Sequence, residues 1–186
     1  MKKLLLASTI IFTTTLTPLS FNETKIEAKA KSEIYPLSNS FVTSLKNGQL
    51  RNSKVAIGMS AKKMKKVAAL KSDSDGLTYS LKKPVASGAA ADVISVTSKT
   101  KRVATISRVY NYTIGKSTVD KKLGKPYKVK KIKFDAESKP TYYYFYKVNS
   151  KYNVVFGYNT DDNYKTEVII GGKKYLKNDI PTGITF

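Results

Sequence analysis

VAIGMSAKKMKKV at residues 55–67 and YTIGKSTVDKKLG at residues 112–124 decide how this chain is read. Each opens on a β-branched or aromatic entry to Ile-Gly, passes through a Ser and enters a short Lys-rich stretch. Ile57-Gly58 and Ile114-Gly115 stand 57 residues apart, and several strand-like runs follow each phrase. Self-similarity at a fixed spacing marks a repeated supersecondary unit. The expected fold is α+β, with two tandem helix-plus-antiparallel-meander units forming one domain, the helices packed on one face of the sheet. Unit one spans residues 55–111 and unit two residues 112–172, with a polar lead-in at 31–54 and a basic tail at 173–186. The helix faces fall out of phase by a residue or two when the Ile-Gly pairs are aligned. The competing reading is two unrelated helix starts.

Local signals fill in the units. A short helix is expected near Phe41, Val42 and Leu45. Ser60 suits an N-cap for a helix over 61–71, with Met64, Val67, Ala68 and Leu70 on its inner face. Leu77, Tyr79 and Leu81 alternate as a strand; Val93–Ser98 and Arg102–Tyr110 form a hairpin through Ser98-Lys99-Thr100-Lys101. In unit two, Ser117 and Asp120 fit a capping box. Val119 and Leu123 share a helix face, and Gly124 and Pro126 stop the helix. Tyr127 and Val129 lie in one phase and Ile132 and Phe134 in the other, which suggests a bulge near Lys130-Lys131. Runs at 142–148, 152–158 and 164–170 complete a three- or four-stranded meander.

Ile114-Gly115-Lys116-Ser117, the helix to Leu123, the stop Gly124-Lys125-Pro126, and then YYYFYKV, YNVVFGYN and TEVIIGG resemble a known building block. It looks like the helix-plus-meander unit of the BamE/SmpA superfamily and of the tandem beta-lactamase-inhibitory-protein fold. The C-terminal unit also resembles the staphylococcal immunodominant surface antigen B family of small secreted basic proteins. The resemblance covers about 60 residues well and 50 more weakly. It implies a binding module: antigen B proteins are associated with extracellular nucleic acid, and the tandem inhibitors clamp an enzyme with a concave sheet. No functional residue carries across one by one, because neither function has a motif that can be placed on this chain.

The N-terminus reads as an address. Lys2 and Lys3 precede the apolar, Thr-rich stretch Leu4–Leu19, and Ala28-Lys29-Ala30 matches a signal-peptidase site. The stretch is too short and polar to span a bilayer well, which disfavours an uncleaved anchor. A signal peptide over 1–30 and a secreted product, held to a surface by charge if at all, are expected. Cleavage removes four lysines and two glutamates, leaving 30 basic and 11 acidic residues, a net +19. With no Cys, the mature chain must be held by packing alone. Almost all of the positive charge is Lys; the Arg residues are Arg51, Arg102 and Arg108. Lys is a hydrated point charge and a poor bidentate reader, so broad attraction to polyanions is favoured over sequence readout.

The absence of His and Cys removes imidazole and thiol nucleophiles and the usual zinc and haem ligands. Asp73/Asp75 and Asp161/Asp162/Asn163 faintly suggest calcium, but neither loop has the EF-hand length and closing Glu, and turn chemistry accounts for both. The chain is therefore read as non-catalytic, without cofactor or metal. Its partner is expected to be extracellular nucleic acid, glycosaminoglycan, teichoic acid or another polyanion. The candidate contacts are Lys121, Lys122, Lys125, Lys128, Lys130, Lys131, Lys133, Lys173, Lys174 and Lys177. Periodicity alone leaves the facing of the 142–148 strand open. Taking Tyr142, Tyr144 and Tyr146 as core turns Tyr143 and Phe145 outward as stacking platforms for bases. The rival reading is a protein-binding module or inhibitor of an extracellular enzyme, using a concave aromatic sheet. A third is an envelope protein with no specific ligand.

Overall fold

The computed structural model describes residues 37–134, 136–159 and 165–177. The expected signal peptide, the 160–164 loop with its acidic residues, and residues 178–186 lie outside these. In chain order the elements are α1 (Asn39–Lys46), α2 (Ala61–Val67), β1 (Leu70–Ser72), β2 (Thr78–Leu81), β3 (Val93–Val96), β4 (Val103–Tyr110), α3 (Lys116–Leu123), β5 (Lys128–Ile132), β6 (Thr141–Lys147), β7 (Tyr152–Tyr158) and β8 (Thr166–Gly172). The fold is α+β, and its eight strands form a single antiparallel sheet in the order β1-β2-β3-β4-β8-β7-β6-β5. Strands β1 to β4 run outward-in as one meander, and β5 to β8 as another. They join where β4 pairs β8, from Thr105↔Gly171 to Tyr110↔Thr166. This leaves β1 and β5 as the edges.

The larger core takes Phe41 and Leu45 from α1, Met64 from α2 and Val119 from α3, together with Ile94, Ile106, Tyr146, Val154, Phe156, Val168 and Ile170 from the strands. Alternate strand residues feed a smaller core of Tyr143, Phe145, Val155 and Ile169, closed by Leu176. Both ends of the chain therefore contribute more than the sequence reading allowed. The lead-in supplies Leu37, Phe41, Leu45 and Leu50 to the interior, and the start of the basic tail supplies Leu176.

Ser60 caps α2 as expected, its hydroxyl accepting from the Lys63 N–H at 3.3 Å. The helix is shorter than 61–71. Ala68 is already extended at φ −137°, ψ 140°, and Leu70 opens the edge strand β1. The capping box at Ser117/Asp120 does not form: Gly115 is the N-cap of α3 and no side chain caps it. Asp120 instead accepts from the Lys116 ammonium and from the Tyr146 hydroxyl at 2.9 Å. Gly124 ends the helix at φ 82°, a conformation that glycine adopts without strain. The bulge near Lys130-Lys131 is also absent. β5 pairs β6 without interruption from Lys128↔Phe145 to Ile132↔Thr141. The apparent phase slip arises because Val129 sits on an edge strand and is 50% exposed. The register does shift elsewhere, between Ser95↔Thr105 and Val96↔Val103, so that Ala104 is the extra residue of β4.

Candidate polyanion interface

β5 carries alternating side chains to the two sides of the sheet. Lys128 and Lys130 stand opposite Phe145 and Tyr143, on the side of the smaller core, whereas Lys131 stands opposite Tyr142. Among the described residues the exposed large apolar side chains are Tyr127 at 39%, Val129 at 50% and Phe134 at 50%, all within or beside this one edge. Residues 127–134, YKVKKIKF, thus interleave lysines with exposed apolar groups along a strand whose outer edge no other strand pairs.

Tyr127 organises the lower end of this edge. Its hydroxyl donates to the Leu176 carbonyl at 2.9 Å and accepts from Asn153 Nδ2 at 2.9 Å. Burial of the phenol end raises its pKa, so it stays protonated. The ring lies edge-on to Phe145 at 6.2 Å between centroids, and Lys147 Nζ stands 5.9 Å from the ring centre. The Leu176 bond draws the 173–177 turn to the start of β5. That turn is fixed further by Lys173 N–H to the Lys151 carbonyl at 2.9 Å. Lys173, Lys174 and Lys177 are exposed on it, and Lys174 Nζ stands 4.7 Å from the Tyr175 ring centre. Lys128, Lys130 and Lys147 consequently stand on the smaller-core side, beside the turn that Leu176 anchors.

The remaining predicted residues separate. Lys121 and Lys122 belong to α3, whose Val119 enters the larger core, and Lys122 Nζ donates to Asn39 Oδ1 at 2.9 Å. Lys125 is exposed between α3 and β5, Lys131 Nζ stands 5.8 Å from the Tyr142 ring centre, and Lys133 donates to the Ala136 carbonyl at 3.0 Å. Tyr143 and Phe145 are not outward platforms: they are 1% and 0% exposed. Leu176 packs against them in the smaller core. Tyr127, Phe134 and Lys147 are the residues the sequence reading passed over. The alternation of Lys with Tyr, Val and Phe at 127–134 was the available signal.

Four of the described acids are engaged inside the fold or in local contacts. Asp92 is fully buried against Arg108, with Nε to Oδ1 at 2.6 Å and Nη2 to Oδ2 at 2.9 Å. Glu167 is fully buried, neither oxygen has a hydrogen-bond partner, and desolvation pushes its carboxyl up to about 8. It is therefore largely neutral at pH 7. The Lys116 hydrogen bond holds Asp120 below the usual carboxylate range. Asp75 is spent on its own turn, accepting from Leu77 N–H at 2.7 Å and Thr78 N–H at 2.8 Å, which lower its pKa. Among the described residues no three His, Cys, Asp or Glu side chains are grouped to hold a metal ion, and no helix is long and apolar enough to cross a membrane.

A scan against protein-family models and searches of curated proteins and of solved structures found no match to this chain.

Proposed function

We propose that this is a secreted, non-catalytic protein that binds extracellular polyanions through the β5 edge and the 173–177 turn. The observation that carries the reading is the interleaving of lysines with exposed Tyr127, Val129 and Phe134 on one strand edge. Ammonium groups there meet phosphate or sulfate oxygens, and the part-exposed Tyr127 ring adds an aromatic surface beside them. Burial of Asp92 and Glu167 supports it, because it removes negative charge from the surface of a chain with net charge +21. Lysine enrichment on an edge strand also guards against edge-to-edge aggregation, and that role coexists with binding. The tandem arrangement of two helix-plus-meander units, and the kinship with binding modules of the BamE/SmpA, inhibitory-protein and antigen B type, are part of this proposal. The sheet order, with β4 and β8 meeting at its centre, supports the two-unit arrangement. The exposed apolar row favours one rival, an extracellular protein partner that adds a strand to β5.

Charge reversal tests the site. Lys128→Glu, Lys130→Glu, Lys173→Glu and Lys174→Glu together are expected to weaken heparin and oligonucleotide binding alike, while Lys121→Glu with Lys122→Glu weakens them less. Equal losses from the two sets would place the interface elsewhere.

A further inference from the structure

On the far half of the molecule a cleft of about 350 Å³ opens between the end of α2 and the segment after β2. Its walls are Val67, Ala68, Leu81, Pro84 and Val85. Lys54, Lys82 and Lys83 line it as well, and all three are exposed. Two wall backbone donors are already used: Ala68 N–H bonds the Met64 carbonyl at 3.1 Å and Lys82 N–H bonds the Ala69 carbonyl at 2.9 Å. A peptide laid into the cleft would need partners for its amide groups among walls made largely of apolar side chains, which is unfavourable. An alkyl chain makes no such demand, and three ammonium groups at the rim complement one anionic head.

We propose that this cleft binds a single-chain anionic amphiphile, its alkyl chain against Leu81, Pro84 and Val85 and its carboxylate or phosphate among Lys54, Lys82 and Lys83. The site is independent of the β5 edge and needs no polyanion.

Calorimetric titration of the whole chain with sodium decanoate, decyl phosphate and hexanoate below their micelle concentrations, and with decanol below its solubility limit, tests this. Saturable one-to-one binding of decanoate is expected, at least tenfold tighter than hexanoate. Decyl phosphate binding as well as decanoate identifies any oxyanion head as sufficient; a preference for one names the head. Ala69→Trp adds bulk at an exposed residue that also lines the cleft. It should weaken decanoate at least tenfold with an unchanged circular dichroism spectrum. Lys82→Ser with Lys83→Ser should weaken decanoate several-fold and leave decanol unaffected. Absence of saturable decanoate binding, or binding unchanged in both variants, would overturn the proposal. So would a Glu-rich peptide that binds where decanoate does not.

Discussion

Glu167→Gln should remove most of the pH dependence of folding between pH 5 and 8. Glu167 sits in β8 between Val109 of β4 and Gly157 of β7, fully buried with both oxygens unpartnered. Gly157 must stay bare there, because a Cβ would meet the Tyr143 ring at 2.6 Å and Glu167 Cβ at 3.5 Å. The Glu167 carboxyl, ordinarily at 4.5, is pushed to about 8 by desolvation. Below pH 4.5 the folded and unfolded chains both hold the proton. Between 4.5 and about 8 only the folded chain holds it, so stability falls as pH rises. Above about 8 the contribution is gone. At about 1.4 kcal/mol per pH unit over that interval, the loss is about 5 kcal/mol as an upper bound, a large share of a typical domain's 5–15 kcal/mol. The chain has no His and no Cys, so apart from the terminal amine little else titrates in this window. The losses from Asp75 and Asp120, whose pKa values are lowered, come at lower pH. Urea unfolding from pH 5 to 9 measures the effect. Wild type should lose stability steadily up to about pH 8 while the variant stays nearly level, gaining about 3 kcal/mol over wild type at pH 8. Parallel pH profiles for the two proteins would refute the argument.

Three further outcomes are expected. Asp92→Ala leaves the Arg108 guanidinium buried without its bidentate partner and should cost about 3–5 kcal/mol in urea unfolding. The joint change Asp92→Leu with Arg108→Met should cost much less. Gly157→Ala forces the Tyr143 ring aside and should cost about 1–3 kcal/mol; placing Tyr143→Leu with it should recover part of the loss on the same measurement. Tyr127→Phe leaves Asn153 without that acceptor and the Leu176 carbonyl without that donor. It should cost about 1–3 kcal/mol and loosen the 173–177 turn in amide exchange.

Much of the fold was legible because local chemistry and tertiary structure agree. Ser60 caps α2, Gly124 stops α3, Val119 faces the core, and the 152–158 run forms β7. The sequence reading failed where a side chain's role is set by a distant segment. Tyr143 and Phe145 were placed outward on the assumption that one side of the sheet is bare, yet Leu176, more than 30 residues on, closes over them. The Arg108–Asp92 pair joins β4 to a loop residue 16 positions earlier, and no local pattern announces it. β1 was read as the end of a helix because Leu70 fits the helical period; its three residues are held as a strand by pairing with β2. Of the candidate site, Tyr127 ties the start of β5 to the 173–177 turn, Lys131 stands on the other side of β5 from Lys128 and Lys130, and Lys121 and Lys122 lie apart on α3.

The most direct test of the account is the salt dependence of binding. Residues 31–186, expressed on their own, are titrated with a labelled single-stranded oligonucleotide and with heparin at about 50 and 200 mM salt. Displacing counterions from about five phosphates should weaken oligonucleotide binding about 100-fold between the two conditions. The Lys128/Lys130/Lys173/Lys174 reversal should flatten that slope. No binding at the lower salt, or an affinity that ignores salt, would contradict the polyanion reading.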